Sequence, residues 1–328
     1  MCRVREKSYQ EVITQLNEYG EKKKTCLFII DFEQNKGYIV EEPLKQKDIL
    51  FSINKITNSH QPQKLDLSLK SYPIPYKTYR HKFDIVCDGL KRGDTFLCNL
   101  TVSTPVETEA SLEEIYHATE ARYKVCIPDR FVCFSPEIFI TIDAQGQVAS
   151  HPMKGTIDAS IPNAEEIILN DYKETAEHNT IVDLIRNDLN IVSEFVDVER
   201  FRYIDKIQLP NGRGLLQVSS KVIGMMPKDY HSSLGTVIDQ LLPAGSISGA
   251  PKDATIRIIK SAEDEPRGYY TGIVGYYDGK TLDTGVLIRF IEKRGKQMYF
   301  RSGGGITINS DPKEEYNEVI QKVYIPLL

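Results

Sequence analysis

Apolar and polar positions along this 328-residue chain switch repeatedly between a period of two and a period near 3.6. The run CLFIIDF (26–32) is almost wholly apolar and reads as a buried strand, with Asn35, Lys36 and Gly37 as the turn behind it. A polar stretch with Asn, Gln, Ser and Pro follows around 53–75 and predicts a surface connection. Helical spacing sets in near 80–92 and ends in Gly89 and Gly93. Strands are expected at 95–104 and 131–143, with a helix near 111–122 between them. From 174 to 189 the spacing is helical again and places Ile181, Val182, Leu184, Ile185 and Leu189 on one face. A strand-rich stretch runs to about 224. The next helix, 250–262, carries Pro251 in its first turn, where proline is tolerated. Segments 271–279 and 284–293 predict a hairpin, and 297–306 a third strand. The last helix opens with Asp311 as N-cap, Pro312 at N1 and Glu314 at N3, the pattern of a capping box. This irregular alternation predicts a mixed α/β (α+β) fold with large sheets.

Composition narrows the class. Hydrophobic residues at 41% and charged residues at 27% supply a substantial core. A net charge of −5 weighs against nucleic acid as the main partner, and the one basic run, Lys22–Lys24, reads as solvated surface. No apolar run approaches membrane-spanning length, and MCRVREKSYQ is not a signal peptide. Cysteines 2, 26, 87, 98, 126 and 133 form no C-x-x-C pair, so small buried thiols in a reducing cytoplasm fit better than disulfides or zinc. Histidines 60, 81, 117, 151, 178 and 231 lack metal-ligand spacing, so any bound metal must be held by carboxylates.

Candidate chemistry follows from a few positions. Glu174 and Glu177 lie three apart on a predicted helix, and so do Glu315 and Glu318, so each pair shares a face. Four carboxylates from two helices suit Mg²⁺; solvated helix faces are the ordinary alternative. The segments SGGGI (302–306) and PAGSISGAPK (243–252) each precede a helix. They suit either an anion approached by backbone N–H groups or tight turns. Arg289 interrupts the apolar stretch GVLIRF and needs a partner, either a substrate carboxylate or an internal Asp or Glu. Lys154 in HPMKGT is either an exposed turn residue or, in a desolvated cationic site, a nucleophilic amine.

The segments SPEIF, HPMKGT, EHNTIVDLIRNDL, LLPAGSISGAPK, GIVGYYDG, TGVLIRF, SGGGI and DPKEEYNEVIQK occur in this order from about residue 80 onward. Together they resemble the chorismate-utilising family that includes the large subunits of anthranilate synthase and aminodeoxychorismate synthase. The resemblance implies two packed antiparallel-rich sheets flanked by helices. Residues 1–80 would be a shortened N-terminal part and 81–328 the chorismate-binding catalytic region. It implies that Glu177 and Glu318 ligate Mg²⁺, supported by Glu174 and Glu315, and that the metal grips the ring carboxylate of chorismate. The N–H groups of Gly303, Gly304 and Gly305, with Ser246 nearby, would bind the same carboxylate region. Arg289 and Tyr276 would hold the enolpyruvyl carboxylate, and Glu137 would be the acid and base at the C4 oxygen. Gln217 stands where relatives often have a substrate-orienting histidine, and His151 where arginine is commoner.

Subtype rests on Lys154. Anthranilate synthases resemble P-I-A-G-T here, whereas aminodeoxychorismate synthases resemble P-I-K-G-T, whose lysine is thought to attack C2 of chorismate. Isochorismate synthases carry a water-activating lysine where this chain has Leu97. The resemblance therefore implies aminodeoxychorismate synthase component I chemistry, a step towards p-aminobenzoate and folate. Ammonia would come from a separate glutamine amidotransferase subunit, in the cytoplasm. No tryptophan-binding motif is recognisable. Anthranilate synthase component I and a non-catalytic chorismate-binding subunit are the rival readings. The first is disfavoured by Lys154, the second by the joint retention of Glu137, Lys154, Glu177, Arg289 and Glu318.

Overall fold

The strand Cys26–Ile30 accounts for the layering of the molecule. All five residues are buried, and they divide by parity: Cys26, Phe28 and Ile30 enter one hydrophobic cluster, Leu27 and Ile29 another. Successive strand side chains point to opposite faces, so an unbroken apolar run requires cover on both. The computed structural model describes residues 4–59, 62–65, 67–208, 212 and 214–327; Cys2 and His60 lie outside them. On one side of this strand lies a second sheet. On the other lie helices, among them Tyr9–Glu21, Tyr172–Val192 and Leu234–Leu241.

Among the described residues the first sheet has ten strands. Cys26–Ile30, Ile273–Tyr277, Leu282–Val286 and Ile138–Ile142 are neighbours in that order, all antiparallel. The second sheet has nine, and its central order is Leu97–Glu107, Gln297–Ile306, Phe290–Arg294, Phe131–Ser135 and Tyr123–Ile127. Between the sheets, Leu27, Ile29, Val274 and Tyr276 pack with Phe51, Val125, Cys133 and Phe290. Residues before position 80 supply strands to both sheets, Cys26–Ile30 and Lys36–Glu41 to one and Leu50–Ile53 to the other.

Two segments expected as single strands are each broken in two. Phe131–Ser135 belongs to the second sheet and Ile138–Ile142 to the first, with Pro136 and Glu137 at the crossing. Leu282–Val286 belongs to the first sheet and Phe290–Arg294 to the second. Here Arg289 takes a positive φ of 53°, an uncommon backbone for a side chain of this size. The apolar pattern runs unbroken through both crossings because both halves are buried, which is why periodicity alone does not reveal them. The helix expected at 111–122 is the shorter Leu112–Ala118, capped by Ser111 and Glu114. The glycines of SGGGI lie inside the strand Gln297–Ile306 rather than in a loop.

Helix ends follow their sequence signals. Gly93, at φ 78°, closes Tyr76–Arg92 by donating its N–H to the carbonyls of Gly89 and Leu90. Asp311 caps Pro312–Gln321, accepting from the N–H groups of Lys313 and Glu314. Cys26, Cys87, Cys98, Cys126 and Cys133 are free thiols. No helix of the described residues is long and apolar enough to cross a membrane.

Candidate active site

The two crossings lie side by side. The Val286 N–H donates to the Glu137 carbonyl (3.0 Å), and the Phe134 N–H to the Arg289 carbonyl (3.1 Å). Glu137 and Arg289 are thereby held at the seam between the sheets, and both line one cavity of about 200 Å³. The Ser246 hydroxyl donates to Glu137 Oε1 at 2.5 Å. Burial pushes the Glu137 carboxyl up, opposed by that hydrogen bond and by the charges of Lys154 and Lys322. The residue keeps some exposed surface, and its place in the cavity lining puts that surface within reach of a ligand. Among the described residues no carboxylate lies within ion-pair distance of Arg289, whose guanidinium stacks over Tyr324 at 4.6 Å. Of the two partners the sequence leaves open for it, this arrangement favours a ligand.

Lys154 arrives by a different device. The strand Met153–Asp158 pairs with Gly214–Met225, but its register slips between Met153 and Thr156. Gly155 in that irregularity has φ 81°, where a side chain would be strained. The bulge directs Lys154 into the cavity, with Nζ 3.8 Å from Glu177 Oε2. A methyl group built on Gly305 would lie 3.2 Å from Lys154 Nζ and 3.2 Å from Leu97 Cδ1, so a larger residue there would crowd the amine. Leu97 thus stands beside Lys154. A methyl built on Gly155 would lie 3.1 Å from Glu174 Oε2. One built on Gly304 would lie 3.4 Å from Glu315 Oε2 and 4.0 Å from Glu318 Oε1.

The glycine strand offers its backbone as well as its lack of side chains. Its residues 302–306 pair only with Leu97–Glu107, because the neighbour on the other side, Phe290–Arg294, reaches no further than Arg301. Thr101 and Asn99, opposite Gly303 and Gly305, donate their N–H groups elsewhere, to Glu263 Oε1 (2.9 Å) and the Ser248 carbonyl (2.8 Å). Gly303 and Gly305 are therefore the non-hydrogen-bonded pairs, and their own N–H and C=O groups face the open edge. Lys322 confirms the direction by donating to the Gly303 carbonyl at 2.8 Å. Gly304 points its N–H into the ladder and lends the site only the absence of a side chain.

The four candidate metal ligands come close to this strand from two helices, Glu174 and Glu177 from Tyr172–Val192 and Glu315 and Glu318 from Pro312–Gln321. Glu177 and Glu315 are buried. Hard oxygen donors in a desolvated place suit Mg²⁺. Among the described residues no three metal-ligating side chains are drawn to one point. Lysine side chains stand among them, Lys154 by Glu177 and Lys322 at 2.7 Å from Glu318 Oε1. His178, next to Glu177, is fully buried and hydrogen-bonded to Ser220 Oγ at 2.7 Å. Burial pushes its imidazole down to about 4, so it anchors the helix as a neutral group.

Two expected substrate contacts are not brought to the cavity. Tyr276 lies between the sheets, stacked on Phe51 at 6.0 Å between ring centroids. Strand parity dictates this: Ile273 and Tyr277 face the helical side, Val274 and Tyr276 the other sheet. Tyr270, six residues earlier, lines the cavity instead. Gln217 lies on the strand behind, opposite Thr156, and is not among the lining residues. His151 does line the cavity, its imidazole pushed down by burial. Lys322 was legible as the i+4 neighbour of Glu318 but went unassigned. Asn99, Asp188 and Arg301 also line the cavity; Arg301 pairs through Nη1 with Glu265 (2.9 Å) and Glu292 (3.2 Å).

The chain resembles known proteins over nearly its whole length. The family model described as chorismate binding enzyme matches residues 9–327. A protein of Haemophilus influenzae named only as an uncharacterized PabA-like protein is 45% identical over 320 residues, 97% of each chain. Aminodeoxychorismate synthase component 1 of Bacillus subtilis is 32% identical over 71% of this chain, which spans 51% of that protein. Anthranilate synthase component I of Streptococcus pneumoniae shares the fold, with a TM-score of 0.72 at 21% identity over 94% of this chain and 84% of that one. With the family model matching nearly the whole chain and the cavity built from its two sheets and carboxylate helices, the protein belongs to the chorismate-binding enzymes.

Proposed function

We propose that the protein is an aminodeoxychorismate synthase component I, replacing the C4 hydroxyl of chorismate with an amino group through a covalent bond to Lys154. The observation that carries this reading is the position of Lys154, in the same cavity as Glu137 and Arg289 and beside the glycine edge. Chorismate carries two carboxylates. Arg289 suits the enolpyruvyl one, while Lys322 and the N–H groups of Gly303 and Gly305 suit the one on the ring. Bound Mg²⁺, held by Glu177 and Glu318 with Glu174 and Glu315 alongside, would add positive charge at the ring carboxylate.

Glu137 then protonates the C4 oxygen, which leaves as water, while the nitrogen lone pair of Lys154 bonds to C2 and both ring double bonds shift, from C1=C2 and C5=C6 to C6=C1 and C4=C5. Ammonia next bonds to C4, both double bonds shift back, and the C2–N bond breaks with its electron pair to free the lysine. Glu137 recovers its proton from the incoming ammonia. The balance is chorismate plus ammonia giving 4-amino-4-deoxychorismate plus water. Use of the product for p-aminobenzoate and folate, and supply of ammonia by a glutamine amidotransferase subunit in the cytoplasm, belong to the same proposal.

The direct test incubates the chain with chorismate, Mg²⁺ and ammonium salt and separates the products; anthranilate in place of the 4-amino compound would overturn the reading. Activity should rise with pH as ammonium gives way to ammonia. Glutamine should not replace ammonium unless an amidotransferase is added, and glutamine use by the purified chain would contradict this division of labour. Chelation should abolish turnover and Mg²⁺ restore it. Glu318→Gln should need far more Mg²⁺ for half-maximal rate, by on the order of 10- to 100-fold. An unchanged Mg²⁺ requirement would remove Glu318 from the metal.

A further inference from the structure

The loop 242–251 joins the helices Leu234–Leu241 and Lys252–Ala262, and its middle delivers Ser246 to Glu137. Lys252 sits immediately after the loop. Its Nζ donates to the carbonyl of Leu241, the residue immediately before the loop, at 2.9 Å. The same Nζ is 2.8 Å from Asp188 Oδ2, on the helix that carries Glu174 and Glu177. Both side chains are largely buried, at 17% and 14% exposure. The loop also presses on this helix next to Ser246. A methyl built on Gly245 would lie 2.7 Å from Leu184 Cδ2 and 3.1 Å from Asp188 Oδ2. From the far side, buried Arg267 donates through Nη1 to the Ile247 carbonyl at 2.8 Å.

We infer that Lys252 is a positioning residue, closing the 242–251 loop at its base and locking it to Asp188 so that the Ser246 hydroxyl stays on Glu137. The chemical consequence rests on the assignment of Glu137 as the acid in the reading above. One Glu137 oxygen accepts from Ser246, which leaves the other to carry the proton towards the C4 oxygen. Loss of the lock frees the carboxyl to turn, and a displacement of about 1 Å at a reacting group can cost on the order of 100-fold in rate. The lock also ties Glu137 to the Glu174–Glu177 helix, so the acid and the proposed metal ligands share one frame.

The experiment compares Lys252→Met, Lys252→Arg, Ser246→Ala and the Lys252→Met/Ser246→Ala pair in the chorismate–ammonium assay. Lys252→Met should lower kcat by about 10- to 100-fold while KM for chorismate changes less than about threefold. Lys252→Arg should recover most of the loss. The combined variant should be no slower than Ser246→Ala alone, because both changes remove one contact. Losses that multiply, or an effect confined to KM, would overturn the inference. Because removing one member of a buried ion pair can unfold a protein, Lys252→Met/Asp188→Asn, lacking both charges, gives the same comparison. Chymotrypsin digestion without substrate tests the lock apart from the chemistry. Cleavage after Leu241 should appear in Lys252→Met and not in wild type, and equal resistance would sink the lock. Wild type inert towards chorismate, with the digestion difference intact, would refute the proposed function and leave the lock standing.

Discussion

Lys154→Ala will bind chorismate and almost cease to make the 4-amino product, with kcat lower by on the order of 10³ or more. Arg289, Lys322 and the open edge at Gly303 and Gly305 remain in place to hold the two carboxylates, so KM should move far less than kcat. Residual product would come from direct attack of ammonia at C4. With ammonia withheld, wild type and chorismate should accumulate an adduct on the peptide that contains Lys154. Mass spectrometry should find it there and not in the variant. Turnover near the wild-type level by Lys154→Ala would show that the bulge at Gly155 merely parks a lysine in the cavity wall.

Glu137→Gln should cost about 10²- to 10⁴-fold in kcat, the usual range for a positioned general acid. Glutamine keeps the shape and still accepts from Ser246, so folding and chorismate binding should persist. The pH profile carries the sharper signature. Burial raises the Glu137 carboxyl, so its proton persists to higher pH than an ordinary carboxylate would allow. The ammonia fraction grows with pH while the protonated fraction of Glu137 shrinks, so the two requirements oppose one another. The wild-type profile should thus be a bell, and Glu137→Gln should keep the rising limb and lose the falling one. A falling limb that survives in the variant would assign it to another group.

Much of this site is visible in the sequence because residue type and spacing there are the chemistry. The two Glu pairs, Arg289 within an apolar run, and Lys154 between Met153 and Gly155 are each conspicuous; Lys154 and Arg289 line the cavity, and the Glu pairs come close to Gly155, Lys154 and Gly304 beside it. What stayed hidden depends on backbone events that leave hydrophobic patterning untouched. The crossings at Glu137 and Arg289 interrupt strands whose halves are equally buried in different sheets. The side to which Tyr276 points is hidden because strand parity is set by register, and register is fixed by partners far away in sequence. The opening helix Tyr9–Glu21 was missed, although Ser8 and Glu11 form a capping box before Val12, Ile13 and Leu16. Local signals of that kind are readable, whereas the open edge at Gly303–Gly305 exists only because Phe290–Arg294 stops short.

The pairing of Cys26–Ile30 with Ile273–Tyr277 also bears on how the chain is made. The ribosome releases the first of these strands early and the second only after most of the protein has been synthesised. During that interval CLFII, apolar on both faces, can pair with Lys36–Glu41 along one edge while its other edge waits. Such an edge is a template for pairing between nascent chains. Newly made protein should therefore depend on chaperone protection during elongation. A ribosome-bound chain stopped before residue 273 should aggregate on release, whereas the full-length chain should not.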